Sequence, residues 1–150
     1  MKIVATNKNA GFNYFILDKY EAGIVLKGSE VKSIRQNGMT LNESFILIKD
    51  NQVLLKNSFV KSYQSANAFS PKPDRDRFLL LNKSEILKLK QKVEQKGLTL
   101  VPTKAYFKDQ NLKIEVGIAR GKQLFDKKRD KMNKDYQRET EREIKMVLKK

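Results

Sequence analysis

The chain has 150 residues, 39% of them hydrophobic, and its 32 lysines and arginines outnumber 17 aspartates and glutamates to give a formal net charge of +15. Such a field favours polyanionic partners, nucleic acid first and anionic membrane surfaces second. The chain has no cysteine and no histidine, which excludes zinc sites built on those ligands and catalysis by Ser-His-Asp or Cys-His groups. No run approaches the ~20 apolar residues of a membrane span. We expect a soluble cytoplasmic protein with no membrane partner.

Short runs of β-branched and aromatic residues, separated by turn-forming residues, predict a mainly β protein. The predicted strands are residues 12–17, 22–26, 45–49, 52–63, 78–81, 98–108 and 112–120. Asp18-Lys19 predicts a turn between the first two strands. Asp50-Asn51 and residues 109–111 predict the turns of two hairpins.

Two segments have helical spacing instead. Ser29 is the expected N-cap of a short helix that runs through about Arg35. A longer helix is predicted from Ser84, with apolar residues at helical spacing and Gly97 as its stop. Many short strands with helical insertions favour a small β-barrel, and among such barrels the oligonucleotide-binding kind suits a basic chain best.

The chain changes character near Gly121. Residues 126–143 contain only Met132 and Tyr136 as sizeable apolar side chains, four residues apart. Such a segment buries too little apolar surface to offset its ordering entropy. We therefore predict a β-barrel domain over residues 1–121 and a basic tail over residues 122–150, disordered or loosely helical alone and helical on a partner.

The run GIARGK, residues 117–122, invites comparison with a phosphate-binding loop. Three residues rather than four separate its glycines, and Gln123 replaces the Ser or Thr of that motif. We interpret the run as a strand that leaves the barrel at Gly121, with Arg120 and Lys122 as cations at its mouth.

A proline-flanked loop is predicted over residues 64–77, and it ends in the sequence DRDR. Its two aspartates, or Glu21 and Glu30, could form a metal site of a nuclease, which magnesium-dependent RNA cleavage would reveal. Each aspartate has an arginine beside it, so local charge balance is the favoured interpretation. The two arginines are candidates for phosphate or carboxylate contacts. We expect no enzyme, no metal and no cofactor.

Taken in order, several stretches resemble the SsrA-binding protein (small protein B) family. The matching stretches are residues 7–8, 14–16, 21–23, 28–35, 75–81, 97–102, 106–108, 117–122 and 126–128. The resemblance implies an oligonucleotide-binding-like β-barrel that binds the tRNA-like domain of transfer-messenger RNA. It also implies delivery of that RNA, with elongation factor Tu as an indirect partner, to stalled ribosomes in trans-translation. The tail would become a helix in the empty messenger channel, against ribosomal RNA of the decoding centre.

The expected site residues follow from this resemblance and from the charge pattern. Those expected to contact RNA are Asn7, Tyr14, Glu21, Arg77, Leu80, Asn82, Lys113, Arg120 and Lys122. Those expected to contact the ribosome are Phe125, Asp126, Lys127, Lys128, Arg129, Lys131, Lys134, Tyr136 and Arg138. The chain departs from the family pattern at Gly11, Phe12, Phe78 and Phe125.

Glu21 is an acid among the expected RNA contacts of a basic chain. At neutral pH a carboxylate accepts hydrogen bonds and donates none, so it binds base or ribose donors that a cation cannot bind. We expect Glu21 to confer selectivity while phosphate contacts supply affinity. Glu30 we interpret as an acid favoured by the dipole at a helix N-terminus. The alternative function is a general RNA-binding barrel of a ribosome-associated factor, with little preference among structured RNAs.

Overall fold

The computed structural model describes residues 1–62 and 71–122, apart from the side chain of Gln95, and in this range the chain forms seven strands and three helices. The strands are β1 (Lys2–Thr6), β2 (Tyr14–Ile24), β3 (Phe45–Lys49), β4 (Gln52–Lys56), β5 (Arg77–Leu80), β6 (Thr99–Lys108) and β7 (Asn111–Gly121). The helices are α1 (Lys8–Asn13), α2 (Gly28–Asn37) and α3 (Lys83–Lys96). Within these residues, no helix has both the length and the apolar character needed to cross a membrane.

All strand pairings are antiparallel, and the strands close into a barrel. Neighbours follow the order β1-β6-β3-β4-β5-β2-β7, and β7 pairs again with β6. The six strands β2 to β7 therefore form a closed ring, with β1 added along β6. Closure pairs the strand edges that an open sheet would leave exposed. The long strands β2, β6 and β7 form one continuous surface, which carries four of the nine expected RNA contacts: Tyr14, Glu21, Lys113 and Arg120.

The core lies inside this barrel because the strands alternate in character. Along β7, Leu112, Ile114, Val116 and Ile118 are buried in the main core, whereas Lys113 between them faces outward and is half-buried. The helices α2 and α3 each contribute buried apolar side chains to the same core. In the first half of β7, the two faces of the strand thus separate packing residues from residues available for recognition.

The strongest local signals of the sequence are confirmed by the structure. Both predicted hairpins form, β3–β4 and β6–β7. Asp50 and Asn51 adopt positive φ angles of 51° and 61°, the conformation of a two-residue hairpin turn that matches strand twist. Helix α3 ends at Gly97, whose φ of 62° lies in the left-handed region that favours glycine.

Other predictions near the N-terminus are wrong. Asp18-Lys19 is not a turn, because β2 runs unbroken from Tyr14 to Ile24 and absorbs an irregularity between Ile16 and Asp18 as a bulge. Phe12 belongs to α1 rather than to a strand, and neither α1 nor β1 is predicted by the sequence pattern. Six residues of helix are too few to show a clear hydrophobic period.

Two element boundaries also differ from prediction. Lys27, not Ser29, is the N-cap residue of α2, because Gly28 already has helical geometry. The strand predicted from residue 52 ends at Lys56 rather than reaching residue 63. Residues 64–70 of the loop predicted over residues 64–77 lie outside the described residues, as do all but the first residue of the tail over 122–150.

Candidate nucleic-acid interface

Glu30 lies in the first turn of α2 and is only 3% exposed. Its Oε1 accepts a hydrogen bond from the backbone N–H of Lys27 at 2.9 Å, which satisfies one of the free donors at the helix start. Arg75 donates to both carboxylate oxygens: its Nη2 donates to Oε1, and its Nε donates to Oε2 at 3.0 Å. Arg77 donates to Oε2 from Nε at 2.9 Å and from Nη2 at 2.6 Å. One carboxylate therefore receives donors from two arginines and from its own helix.

Arg77 is fully buried at 0% exposure, and its remaining donors are also engaged. Its Nη1 donates to Ser58 Oγ at 2.8 Å and to the Ser58 carbonyl oxygen at 3.1 Å. Its Nη2 donates to the Pro73 carbonyl oxygen at 3.0 Å. The guanidinium group thus ties the start of α2, the segment after β4 and the segment before β5 into one structure. We call Glu30, Ser58, Arg75 and Arg77 the buried cluster.

Opposing effects act on the charges of the buried cluster. Burial acts to raise the pKa of Glu30, but the hydrogen bonds from Arg75, the Lys27 backbone and Arg77 outweigh it, so that this pKa lies below its usual value. Burial also lowers the pKa of Arg77, while Glu30 acts in the opposite direction. The pair is stable as an ion pair because each charge has its donors or acceptors supplied by the fold.

The buried cluster corrects three expectations. Arg77 has no exposed surface with which RNA could make contact, so its expected role as an RNA ligand does not fit the structure. Arg75 and Arg77 were expected to contact phosphate or carboxylate groups, and both bind a carboxylate. Their partner is Glu30 rather than the neighbouring aspartates. Asp76 instead pairs with Lys56, with 3.5 Å between Asp76 Oδ2 and Lys56 Nζ. Glu30 is therefore not only an acid favoured by the dipole of α2; it is also the buried partner of two arginines.

Asn7 also has a role within the fold. Its side chain is 7% exposed, accepts a hydrogen bond from Ala10 N at 3.3 Å and donates to the Pro102 carbonyl oxygen at 2.8 Å. It therefore caps α1 and fixes this helix to β6. Both side-chain groups of Asn7 are engaged, and direct contact with RNA does not fit this burial. The preference of asparagine for N-cap positions was the available sequence signal.

Glu21 lies on the outer face of β2, with its side chain 38% exposed. Its neighbour Ala22 points into the core. The Tyr106 hydroxyl on β6 donates a hydrogen bond to Glu21 Oε2. On the other side, Lys108 Nζ lies 3.6 Å from Glu21 Oε1. The carboxylate is thus held at one oxygen by the Tyr106 hydroxyl, while its other oxygen forms an ion pair with the exposed Lys108.

The ionisation of this pair follows from the contact. The Tyr106 hydrogen bond is the main cause that lowers the pKa of Glu21, and Lys108 and Lys113 act in the same direction against a smaller effect of burial. Burial, followed by the hydrogen bond to Glu21, raises the pKa of Tyr106 to about 12. At neutral pH the acceptor is therefore a carboxylate and the donor is a protonated phenol.

Leu80 and Lys113 lie beside Glu21 in the strand register. Gly23 pairs with Leu80 on β5 and with Lys113 on β7, and Lys113 pairs in turn with Tyr106. The Leu80 side chain lies over Gly23, where an added Cβ would be 3.4 Å from it, and is 59% exposed. Asn82 is exposed two residues further on, as the N-cap residue of α3. We call the residues that surround this carboxylate the Glu21 face: Glu21, Leu80, Tyr106, Lys108 and Lys113.

Arg120 and Lys122 lie near the opposite end of β2 and β7. Phe15 pairs with Arg120 in the sheet, with the guanidinium carbon 5.0 Å and Lys122 Nζ 4.9 Å from the Phe15 ring centroid. Lys122 Nζ also donates to the Gly11 carbonyl oxygen at 3.0 Å. The strand does end at Gly121, as the interpretation of GIARGK predicts. Phe15 and Glu21 are six steps apart along the strand, which corresponds to about 20 Å at ~3.3 Å per step.

Tyr14 is half-buried and packs against a small apolar cluster that contains Ala10, Val101 and Ala119. Its neighbour Phe15, rather than Tyr14, is the ring that the two cations approach. Adjacent residues of a strand point to opposite faces of the sheet, so Tyr14 and Phe15 have different neighbours.

Two members of the Glu21 face, Tyr106 and Lys108, are missed by the sequence reasoning as site residues. The alternation of β6 places them on the face opposite Ala105 and Phe107, which are both core residues. Their alignment with Glu21 depends on two strand registers and carries no local signal.

Potential metal ligands do not gather in the described part of the chain, where no group of three or more histidine, cysteine, aspartate or glutamate residues is found. The nuclease alternative also paired Glu21 with Glu30. The structure engages Glu30 fully with arginines, so it offers no acidic pair of that kind.

Comparisons with known proteins agree with these observations. The family model described as "SmpB protein" matches residues 4–146. An SsrA-binding protein of Sulfurihydrogenibium sp. (strain YO3AOP1) is 48% identical over 148 residues, which cover 99% of this chain and 97% of the relative. An SsrA-binding protein of Treponema denticola is 46% identical over 146 residues, which cover 97% of this chain and 95% of the relative. A solved structure described as "tmRNA-SmpB: a journey to the center of the bacterial ribosome" is similar with a TM-score of 0.65 and 43% identity, covering 82% of this chain and 90% of that one.

Proposed function

The chain belongs to the SmpB protein family, and from this premise we propose that it binds the tRNA-like domain of transfer-messenger RNA and delivers it to stalled ribosomes for rescue and peptide tagging. Relatives at this identity bear the name SsrA-binding protein, and the similar solved structure is described as tmRNA-SmpB in the ribosome. The protein would act in the cytoplasm, with elongation factor Tu as an indirect partner.

The Glu21 face is the observation that carries the proposal. It places one exposed carboxylate, one exposed leucine and two lysines on rigid strands of the barrel. Lysines contact phosphate without regard to sequence, whereas the carboxylate accepts only from N–H or O–H groups. A partner with both features in a fixed geometry is a folded RNA that presents base edges or ribose hydroxyls beside its backbone. The remaining expected contacts, Tyr14, Asn82, Arg120 and Lys122, extend this interface.

No step in this function requires catalysis by the chain. The work is differential binding, in which a rigid barrel favours one RNA shape over others. Arg77 and Asn7 support it indirectly, because they fix the segments that carry the surface.

Selective binding is the experiment that tests the proposal. The affinity for the isolated tRNA-like domain should exceed that for an RNA hairpin of equal length at the same salt concentration, and both should fall steeply as salt rises. Equal affinities would favour a general RNA-binding barrel. Sequencing of the RNA that co-purifies with the protein gives an independent answer: transfer-messenger RNA should dominate, and an indiscriminate mixture would contradict the proposal.

The tail is a second part of the proposed mechanism and rests on sequence alone. From Gly121 onward, the chain has eleven basic and six acidic residues, a balance suited to ribosomal RNA. The expected ribosome contacts, which run from Phe125 to Arg138, lie outside the described residues. We propose that this segment becomes helical in the empty messenger channel.

Truncation after Gly121 separates the tail from the barrel. The truncated protein loses Lys122 but keeps the Glu21 face, so it should bind the tRNA-like domain with largely unchanged affinity. It should no longer support peptide tagging in a purified translation system. Full tagging by the truncated protein would contradict the proposed role of the tail.

A further inference from the structure

The Tyr106 side chain is rigidly placed on the outer face of β6. Its exposed fraction is only 5%, although it lies outside the main hydrophobic cluster of the barrel. Its partners in register are Ile3 on β1 and Lys113 on β7, so a strand lies on each side of it. Lys104, two residues away on the same face, places its ammonium group 5.7 Å from the ring centroid. These neighbours fix the ring and therefore the position of its hydroxyl.

Without the hydrogen bond from Tyr106, the Glu21 side chain would be flexible, in contrast to the fixed Tyr106 ring. A glutamate side chain on an exposed strand face has several accessible rotamers, and binding that selects one of them loses conformational entropy. The hydrogen bond from Tyr106 restrains Oε2. The free lone pairs of the carboxylate are then available in one orientation, with Lys108 Nζ 3.6 Å from Oε1.

The donor remains a donor under physiological conditions. Burial and the Glu21 carboxylate raise the pKa of Tyr106 to about 12, so the phenol stays protonated. A tyrosine hydroxyl also accepts a hydrogen bond, which a lysine at the same place would not do. The contact therefore orients Glu21 through a neutral donor, and Lys108 is the cation paired with the carboxylate.

We propose that Tyr106 is a positioning residue for RNA selection, which holds the Glu21 carboxylate in the orientation that accepts N–H or O–H donors of the bound RNA. This inference rests on the proposed function and adds to it the way in which selectivity is built. Tyr106 acts through Glu21 and contributes little contact surface of its own, because it is almost completely buried.

Substitution Tyr106→Phe removes the hydroxyl and keeps the ring. The affinity for the tRNA-like domain should fall about three- to tenfold, the loss expected when a flexible side chain must be ordered on binding. Affinity for an unrelated RNA hairpin should not change. Tyr20→Phe is the matched control, because Tyr20 adjoins Glu21 in β2 but packs against the core on the opposite face. The control should retain the wild-type preference.

A double-mutant cycle with Glu21→Ala distinguishes positioning from packing. Tyr106→Phe should cost affinity for the tRNA-like domain only when Glu21 is present, since without the carboxylate the hydroxyl has nothing to orient. An equal loss in both backgrounds would indicate a packing effect and overturn the inference, as would an unchanged affinity of the single variant. If the wild-type protein failed to discriminate between the two RNAs, the proposed function itself would fail.

Discussion

Glu30 and Glu21 are both carboxylates among cations, and in both the contacts hold the pKa below its usual value. Their surroundings nevertheless differ. The fold supplies Glu30 with donors from two arginines and a backbone N–H and leaves it 3% exposed. Glu21 receives one hydrogen bond, from Tyr106, and keeps its side chain 38% exposed. Of these two acids, Glu30 is thus structural, because the chain buries it and surrounds it with donors, whereas Glu21 is suited to recognition, because its side chain stays accessible to a partner.

The comparison implies that loss of Glu30 damages the fold most. Glu30→Ala should lower the free energy of unfolding by about 3–5 kcal/mol, because it leaves the buried Arg77 guanidinium without its charge partner. Chemical denaturation measures this change. The matched control is Glu43→Ala, at an exposed position before β3, which should change stability by less than ~0.5 kcal/mol. Similar values for the two variants would contradict the structural role of Glu30.

The effect of Glu21 should instead appear in selectivity. Glu21→Gln keeps the shape of the side chain but introduces donors in place of an acceptor-only group. It should reduce discrimination between the tRNA-like domain and an unrelated hairpin by about 1–3 kcal/mol, the scale of one specific polar contact with a base. Binding assays on both RNAs measure it. An equal weakening for both RNAs, or no change in either, would show that Glu21 does not confer selectivity.

The smallest effect is the response of stability to acid. The folded state holds the pKa of Glu30 below 4.5, so its contribution is fully present above the unfolded-state pKa and is lost as pH falls through the folded-state pKa. The free energy of unfolding should therefore decrease below about pH 4.5, and Glu30→Gln should make this decrease shallower. Glu43→Gln serves as the control with an unchanged slope. Parallel acid curves for all three proteins would contradict the assignment.

Local features of the fold were predictable from sequence, and long-range ones were not. The hairpin turn at Asp50-Asn51 and the end of α3 at Gly97 depend on residues that are adjacent in sequence. The Asp18-Lys19 turn fails because a bulge can absorb polar residues within a continuous strand. The buried cluster joins Glu30 to arginines 45 and 47 residues away, and no local pattern indicates which of several acids an arginine reaches.

The same distinction holds for the candidate site. The exposure of Leu80 and the outward direction of Glu21 follow from strand alternation, and the acceptor chemistry of Glu21 follows from its residue type. The contact between Glu21 and Tyr106 requires the registers of β2, β7 and β6 together. Residue type likewise did not reveal that Arg77 is buried, since arginine is rarely buried without a partner and its partner was distant in sequence.

The most direct test measures the free energy of unfolding and the preference for the tRNA-like domain on the same two variants, Glu30→Gln and Glu21→Gln. Unfolding free energy should fall clearly for Glu30→Gln and remain near wild type for Glu21→Gln. For folded protein, the preference for the tRNA-like domain should fall for Glu21→Gln and persist for Glu30→Gln. If both variants lost stability to the same extent, and neither lost its RNA preference, the division of the two carboxylates into a structural and a recognition role would be contradicted.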